Sequence, residues 1–437
     1  MFDNGEESLI IHDADISKMQ RSWTQRTFSK IEKDSIRNTM LVLLAASLGT
    51  GTYSMHHLLD ETGIVWGSLI VIVGCICSIM SFDIYAHASK VTGAPNSFPD
   101  LYKKSVGKVF YLCTIFVNLI YLSLIIISYS VCISKLAYLV FYSRVWDYMG
   151  ISEEGRQFNV FTKYMSFVVG LFGFLLIMPK SIDRLASLSS LSFMVNIYLF
   201  ILILIQTPTY FSELLEKGQN SFNFTSASFK TICYQFGLVI CSYNNIPNFL
   251  IIRNNVKNPS RRRLRKIYVR TDIVITILYI VTGLASYASV GMPNTPAVDL
   301  VIFRPQLGLT DNMMVAGQLL FLLSMIIAYS FIAFPLKTLI LDLLNAKSDK
   351  ANFLVALLIC LLGSWIGSNF DNVSDYITLT GAFCGTCMSI IFPGIIALHT
   401  GYCRNTLSKY GIIAWMVIGG ITGAFSTYYC ILKFVDN

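Results

Sequence analysis

The 437 residues fall into long apolar runs separated by short polar or charged intervals. A hydrocarbon core of ~30 Å takes about 20 residues of helix to cross. Eleven runs meet that requirement, at 36–59, 64–87, 109–140, 160–178, 187–207, 229–252, 268–291, 313–343, 352–368, 376–398 and 411–432. The longest intervals outside them, 141–159, 208–228 and 292–312, are too short for a soluble domain. The pattern predicts an all-α polytopic membrane protein whose interior carries the function.

Two of the runs are interrupted. In the first, SLGTGTYSMHH sets Gly49, Thr50, Gly51 and Thr52 inside the predicted helix. Glycine and threonine are weak helix formers, and the glycine pair begins 13 residues after Ile36, or ~20 Å along a helix. In the sixth, CSYNNIP opens a polar cluster at Cys241, 12 residues after Phe229 or ~18 Å in, and ends it with Pro247. Odd and even crossings run in opposite senses, so the two breaks reach a similar depth from opposite faces. Unwound backbone persists at membrane depth only where it lines a protein cavity. Matched interruptions in two halves of a chain point to a solute site near the midplane. The freed amides and carbonyls of these two stretches, which include Gly49, Thr50 and Gly51 in the first and Ser242 and Tyr243 in the second, are therefore the candidate binding groups. The same reading predicts a first five-helix half at 35–207, an outer loop at 208–228 and an inverted second half at 229–398. An eleventh helix would lie within 399–437, and residues 1–34 would form a disordered cytosolic tail.

Composition agrees: 54% of residues are hydrophobic and 13% charged, against about a quarter charged in soluble proteins. The net charge of +8 is concentrated in a few intervals, above all RNNVKNPSRRRLRKIYVR at 253–270. Cytosolic loops collect lysine and arginine, which predicts a cytosolic N-terminus and a C-terminus outside or in a lumen. The 253–270 loop is expected to rest on anionic lipid headgroups rather than on nucleic acid. Two glycosylation sequons, at Asn223 and Asn372, fall in intervals this topology puts outside. A plasma membrane and a vacuolar or endolysosomal membrane fit equally. None of the eleven cysteines lies in an outer interval, and Cys384-x-x-Cys387 sits in an apolar helix without a second ligand pair, so packing is preferred to metal binding. The chain has no phosphate-cradling GxxxxGK[ST] loop and no zinc-spaced histidine helix. No enzyme, metal or cofactor is expected.

The motifs resemble a known family. NTMLVLLAASLGTGTYSMHHLLDETG is similar to the first helix of the amino acid/auxin permeases, and CSYNNIPNFLIIRNNVKNPSRRR resembles their sixth helix with its basic loop. IMPKSIDRLASLSSLS, SFIAFPLKTLI and LTGAFCGTCMSIIFPGI match the stretch joining helices four and five, helix eight and helix ten, in order, over about 36–432. The resemblance implies the LeuT-like fold, a 5+5 inverted repeat plus an eleventh helix. It also implies secondary transport of amino acids by alternating access, driven by protons or sodium, from a monomer. An amino acid sensor that binds without transporting is the alternative.

Departures from the family refine this. His56 replaces its usual proline after the glycine pair. Sodium-coupled members carry an asparagine where this chain has Ala45, and hydroxyls where it has Ile326, Ile327 and Ala328. Apolar side chains give sodium no oxygen ligands, so proton coupling or sodium independence is expected. His56 and His57 are the coupling candidates, because histidine titrates near pH 6.5. An Asp83/His87 pair near the inner end of the second run is a weaker relay candidate, and Lys135 is expected to snorkel outward. The absence of acid or base near midplane in helices one and six favours neutral amino acids. Tyr129, Tyr243 and Tyr329 are candidates for the side-chain pocket.

Overall fold

The computed structural model describes residues 35–93, 98–143, 158–178, 189–216, 222–225, 227–248, 253, 256, 259–290, 300–303, 312–346, 348–369 and 373–436. The expected tail at 1–34 and the sequon at Asn372 lie outside the described residues. The described chain is nearly all helix. In order come α1 (Ile36–Ser47), α2 (Thr50–Tyr53), α3 (Met55–Val91), α4 (Phe98–Ser105), α5 (Lys108–Ala137), α6 (Phe158–Ile177) and α7 (Ser189–Glu216). They are followed by α8 (Phe229–Tyr243), α9 (Arg261–Val290), α10 (Asn312–Leu343), α11 (Asp349–Gly367), α12 (Val373–Thr380), α13 (Phe392–His399) and α14 (Thr406–Asp436). Among the described residues, 8 helical stretches are long and apolar enough to cross a membrane.

Local chemistry explains the boundaries. Ser35, Ser228 and Ser348 cap α1, α8 and α11, each hydroxyl accepting from the amide three residues on, which satisfies a donor that a helix start leaves orphaned. α7 continues nine residues past the predicted end at 207, through Pro208. The proline costs one backbone bond, but Thr207 turns its hydroxyl onto the Ile203 and Ala285 carbonyls there, at 2.7 and 3.2 Å. α9 starts at Arg261 rather than 268, so part of the predicted basic loop is helix; the Ser260 hydroxyl accepts the Arg263 amide at 3.3 Å.

The surface is unlike that of a soluble fold. Val65, Leu69, Ile72, Val73 and Ile76 on α3, and Leu354, Leu358, Leu361, Leu362 and Trp365 on α11, are exposed. Such patches aggregate in water and are solvated by lipid. Beside an apolar core, the interior of the described residues buries serines, threonines, asparagines and three aspartates. α9 packs along α3 and also touches α1, α2 and α7, whereas α8 packs between α3, α12 and α14. α10, α5, α6 and α11 form a second packed group.

Between α12 and α13 the helix widens to π form over Gly381–Gly385 and Cys387–Ile391. Cys384 and Cys387 lie on this stretch, where α8 approaches closely. A Cβ on Gly237 would stand 3.0 Å from Ala382 Cβ. π-Helical turns leave carbonyls without their usual helical partners. Two residues of α3 supply them: Tyr85 donates to the Met388 carbonyl at 2.7 Å, and Ser81 donates to that of Ser389.

Candidate functional site

α1 ends at Leu48, whose ψ of 108° is extended. Gly49 follows with φ −161° and ψ −149°, and the chain re-enters helix at Thr50. The new helix runs through Ser54, itself right-handed helical, into α3. The predicted interruption is therefore present and measures two residues. α8 runs two residues deeper than Cys241, ending at Tyr243; Asn244 (φ −77°, ψ 72°) leaves the helix, and Ile246–Asn248 forms a single 3-10 turn.

The two breaks face each other. A Cβ built on Gly51 would lie 2.9 Å from Ser242 Cβ and 3.4 Å from Ser242 Cα, so only glycine lets the helices meet this closely. Gly49 is different: half-buried between buried Leu48 and Thr50, it borders open space among the described residues, none of which, its chain neighbours aside, comes within 4 Å of where a Cβ would stand. Asn245 Nδ2 donates across the junction to Ser47 Oγ at 2.6 Å, and that hydroxyl donates to Leu43 O at 2.7 Å. Tyr279 of α9 completes the link. Its hydroxyl lies 3.0 Å from the Ser47 carbonyl and 2.8 Å from the Ser242 carbonyl, so one proton is shared between the frayed ends of both helices. Tyr121 of α5 donates to the Asn244 carbonyl at 3.3 Å, and Ser389 reaches the Asn244 side chain at 3.4 Å.

The predicted residues take distinct places. Gly49, Thr50 and Gly51 form the first break, and the Thr50 and Gly51 amides stand in the opening turn, where a helix provides no acceptor of its own. Ser242 lies against Gly51, its hydroxyl bound to Leu238 O at 2.8 Å. Tyr243 points away from the junction: its hydroxyl pairs with Thr276 Oγ1 at 2.7 Å, and its ring stands edge-on to Tyr279 at 5.2 Å. Tyr329 is fully buried beside Gly173 of α6, away from both breaks. Tyr129 is half-buried.

The histidines part company. His56 is buried, not interfacial, with Nδ1 at 3.0 Å from the Tyr53 carbonyl. His57 lies 3.3 Å from Glu61, which accepts from Gln235 of α8 at 2.6 Å. Asp83 does not pair with His87. It receives Arg261 Nε at 3.3 Å and the Tyr402 hydroxyl at 2.8 Å, while His87 Nε2 lies 3.2 Å from Thr400 O. Burial first, then the Asp83 carboxylate, push the Tyr402 hydroxyl up to about 12, which keeps it a neutral donor. Lys135 rests over the Phe303 ring at 5.8 Å.

Sequence reasoning missed Tyr279, Tyr121 and Tyr53, whose hydroxyl reaches Asn196 Oδ1 at 3.0 Å. Nothing marks them among 23 tyrosines. Asn244 and Asn245 stood inside the polar cluster and were legible. So was Asp272 of α9, a lone acid within a predicted crossing, a pattern that marks function by default.

Comparisons with known proteins bear on the fold and the family. The sequence pattern of the family described as "Transmembrane amino acid transporter protein" matches residues 32–432. "Putative amino acid transporter AAT1" of Plasmodium falciparum (isolate 3D7) is 25% identical over 280 residues, 62% of this chain and 43% of that protein. "Vacuolar amino acid transporter 3" of Schizosaccharomyces pombe (strain 972 / ATCC 24843) is 24% identical over 415 residues, 89% of this chain and 57% of that protein. The chain thus spans about half the length of the curated relatives it matches. Among solved structures, MhsT in complex with L-phenylalanine superposes with a TM-score of 0.63 at 12% identity, over 92% of this chain and 100% of that one. That likeness gives the LeuT-like fold, and the match over residues 32–432 gives the family: the chain belongs to the transmembrane amino acid transporters.

Proposed function

We propose that the protein is a secondary transporter that carries neutral amino acids by alternating access, holding them between the two breaks. The observation that carries this reading is the junction itself, with Gly51 against Ser242 and open space beside Gly49. The Thr50 and Gly51 amides, at the positive end of the outer half-helix, suit the substrate carboxylate. Carbonyls at the ends of α1 and α8 suit its ammonium group. Gly49, Thr50, Gly51 and Ser242 line the substrate, and Tyr243 acts by holding α8 to α9. Among the described residues no acid or base touches the junction, which favours neutral side chains.

The halves 35–207 and 229–398 act as inverted repeats that rock about this junction, with the N-terminus cytosolic. Coupling is to protons, without sodium. One proton crossing ~100 mV supplies ~2.3 kcal/mol, enough for about fifty-fold accumulation. The relative named as vacuolar favours an internal membrane.

Purified protein in proteoliposomes tests this, with labelled L-alanine, L-leucine, L-phenylalanine, L-lysine and L-glutamate. The expected result is uptake of neutral amino acids that a pH gradient stimulates and that choline in place of sodium leaves unchanged. Saturable binding without flux identifies a sensor instead, and strict sodium dependence overturns the coupling.

A further inference from the structure

Three aspartates are buried among the described residues: Asp83, Asp272 and Asp375. Two have a cation. Asp83 is paired with Arg261, and Asp375 lies 2.9 Å from Lys433 Nζ. Asp272 is the most deeply buried, at 1% exposure, and its Oδ2 has no hydrogen-bond partner among the described residues. It sits 11 residues into α9, about 17 Å along the helix axis.

Its surroundings are polar, and among the described residues they carry no compensating charge; Arg270, two residues earlier on α9, is exposed. Ser78 of α3 lies beside the carboxyl. The titratable groups within electrostatic range are Cys75 of α3, Tyr243 of α8, and Tyr268 and Tyr279 of α9 itself. Of the other elements packed on α9, α1 and α2 hold one charged residue, Arg37, one residue after α1 begins. α7 holds Glu213 and Glu216 in its last turn. The remaining acids, bases and histidines of α3 are His56, His57, Asp60, Glu61, Asp83, His87 and Lys90, all outside its middle.

Asp272 is also wired to the junction. Thr276, one turn on, donates to the Asp272 carbonyl at 2.7 Å and pairs with the Tyr243 hydroxyl at 2.7 Å. Tyr279, two turns on, holds the broken ends of α1 and α8. A carboxylate without a cation is costly to keep dry, whereas its neutral acid needs only local hydrogen bonds. The charge on Asp272 is thereby tied to whether water reaches this seam, and any shift of α9 moves Tyr279.

We propose that Asp272 carries the coupling proton: its carboxylate takes a proton from water on the side to which the seam is open, crosses the closed state as the neutral acid, and releases the proton to water on the other side. This rests on the transport reading above and deepens it. His56 and His57 are less suited, since one ring nitrogen of His56 is engaged by a backbone carbonyl and His57 already faces Glu61.

The test compares wild type, Asp272→Asn and Asp272→Glu in proteoliposomes loaded with a trapped pH dye, using the labelled neutral amino acid that the wild type carries best. Amino acid exchange at equal concentrations needs alternating access but no net proton movement. Asp272→Asn is expected to keep exchange while losing the gradient-driven accumulation, about fifty-fold at 100 mV for one proton, along with the dye signal. Asp272→Glu is expected to keep both and to displace the pH at half-maximal uptake. Full accumulation by Asp272→Asn overturns the proposal. Where Asp272→Asn also loses exchange, Asp272→Glu decides, and an unmoved pH profile overturns it. Wild-type flux that ignores pH, or needs sodium, defeats Asp272 alone; wild-type binding without flux defeats the transport reading itself.

Discussion

The chain leaves helical geometry twice within fifteen residues, at Leu48–Gly49 and again at Gly63, with opposite consequences. At Gly63 (φ 78°) the freed groups are consumed at once: Ile64 and Val65 donate to the Asn223 and Phe224 carbonyls at 3.0 and 3.1 Å. A Cβ at Gly63 would stand 2.9 Å from the Phe224 backbone. At Leu48–Gly49 the chain borders open space among the described residues, and Ser47 just before it is held by side chains instead, Asn245 on its hydroxyl and Tyr279 of α9 on its carbonyl. An interruption becomes a site only when its freed groups are left for something else to bind. The first break leaves room for a ligand, and the second is a corner.

Substitutions break or sharpen that contrast. The largest effect is expected from Gly51→Leu, which fills the junction: uptake is abolished while the protein still reaches the membrane, read by surface labelling beside flux. Gly51→Ala is expected to lower uptake, and Ser242→Gly in the same chain to restore part of it, because removing Ser242 Cβ relieves the 2.9 Å contact. Failure of that rescue would mean the junction is not the critical contact. Next is Tyr279→Phe, which leaves two buried carbonyls sharing no donor; at about 1–3 kcal/mol for a buried polar group left unsatisfied, transport should fall about tenfold or more. Gly63→Ala should act on stability instead, at about 1–3 kcal/mol. A lower melting temperature with unchanged flux per folded molecule would show it. Smallest is Gly49→Ala, whose methyl enters open space on a backbone that any residue adopts; near wild-type uptake is expected, with larger side chains progressively blocking it.

The fold was legible because lipid imposes a simple code: long apolar runs, basic intervals and two polar interruptions. Both breaks were readable, since Gly-Thr-Gly-Thr and Asn-Asn-Ile-Pro conflict with the runs around them. What escaped were the groups that hold the breaks together. Tyr279, Tyr121 and Asn196 act through contacts 123 to 232 residues apart in sequence, or through the backbone of a distant helix, and a tyrosine in an apolar run reads as packing. The polar neighbours of His56 gave no sign that its ring is buried, with Nδ1 at 3.0 Å from the Tyr53 carbonyl. Asp272 escaped for a different reason: the sequence breaks mark two helices, and the charge lies on a third that braces them.

The central claim is that an amino acid is held where the two interrupted helices meet, and its most direct test is an experimental structure of the full protein with a transported amino acid. The account predicts density beside Gly49, with the carboxylate at the Thr50 and Gly51 amides and the ammonium group facing the ends of α1 and α8. Density at another place in the bundle, with this junction unchanged and closed, would contradict it.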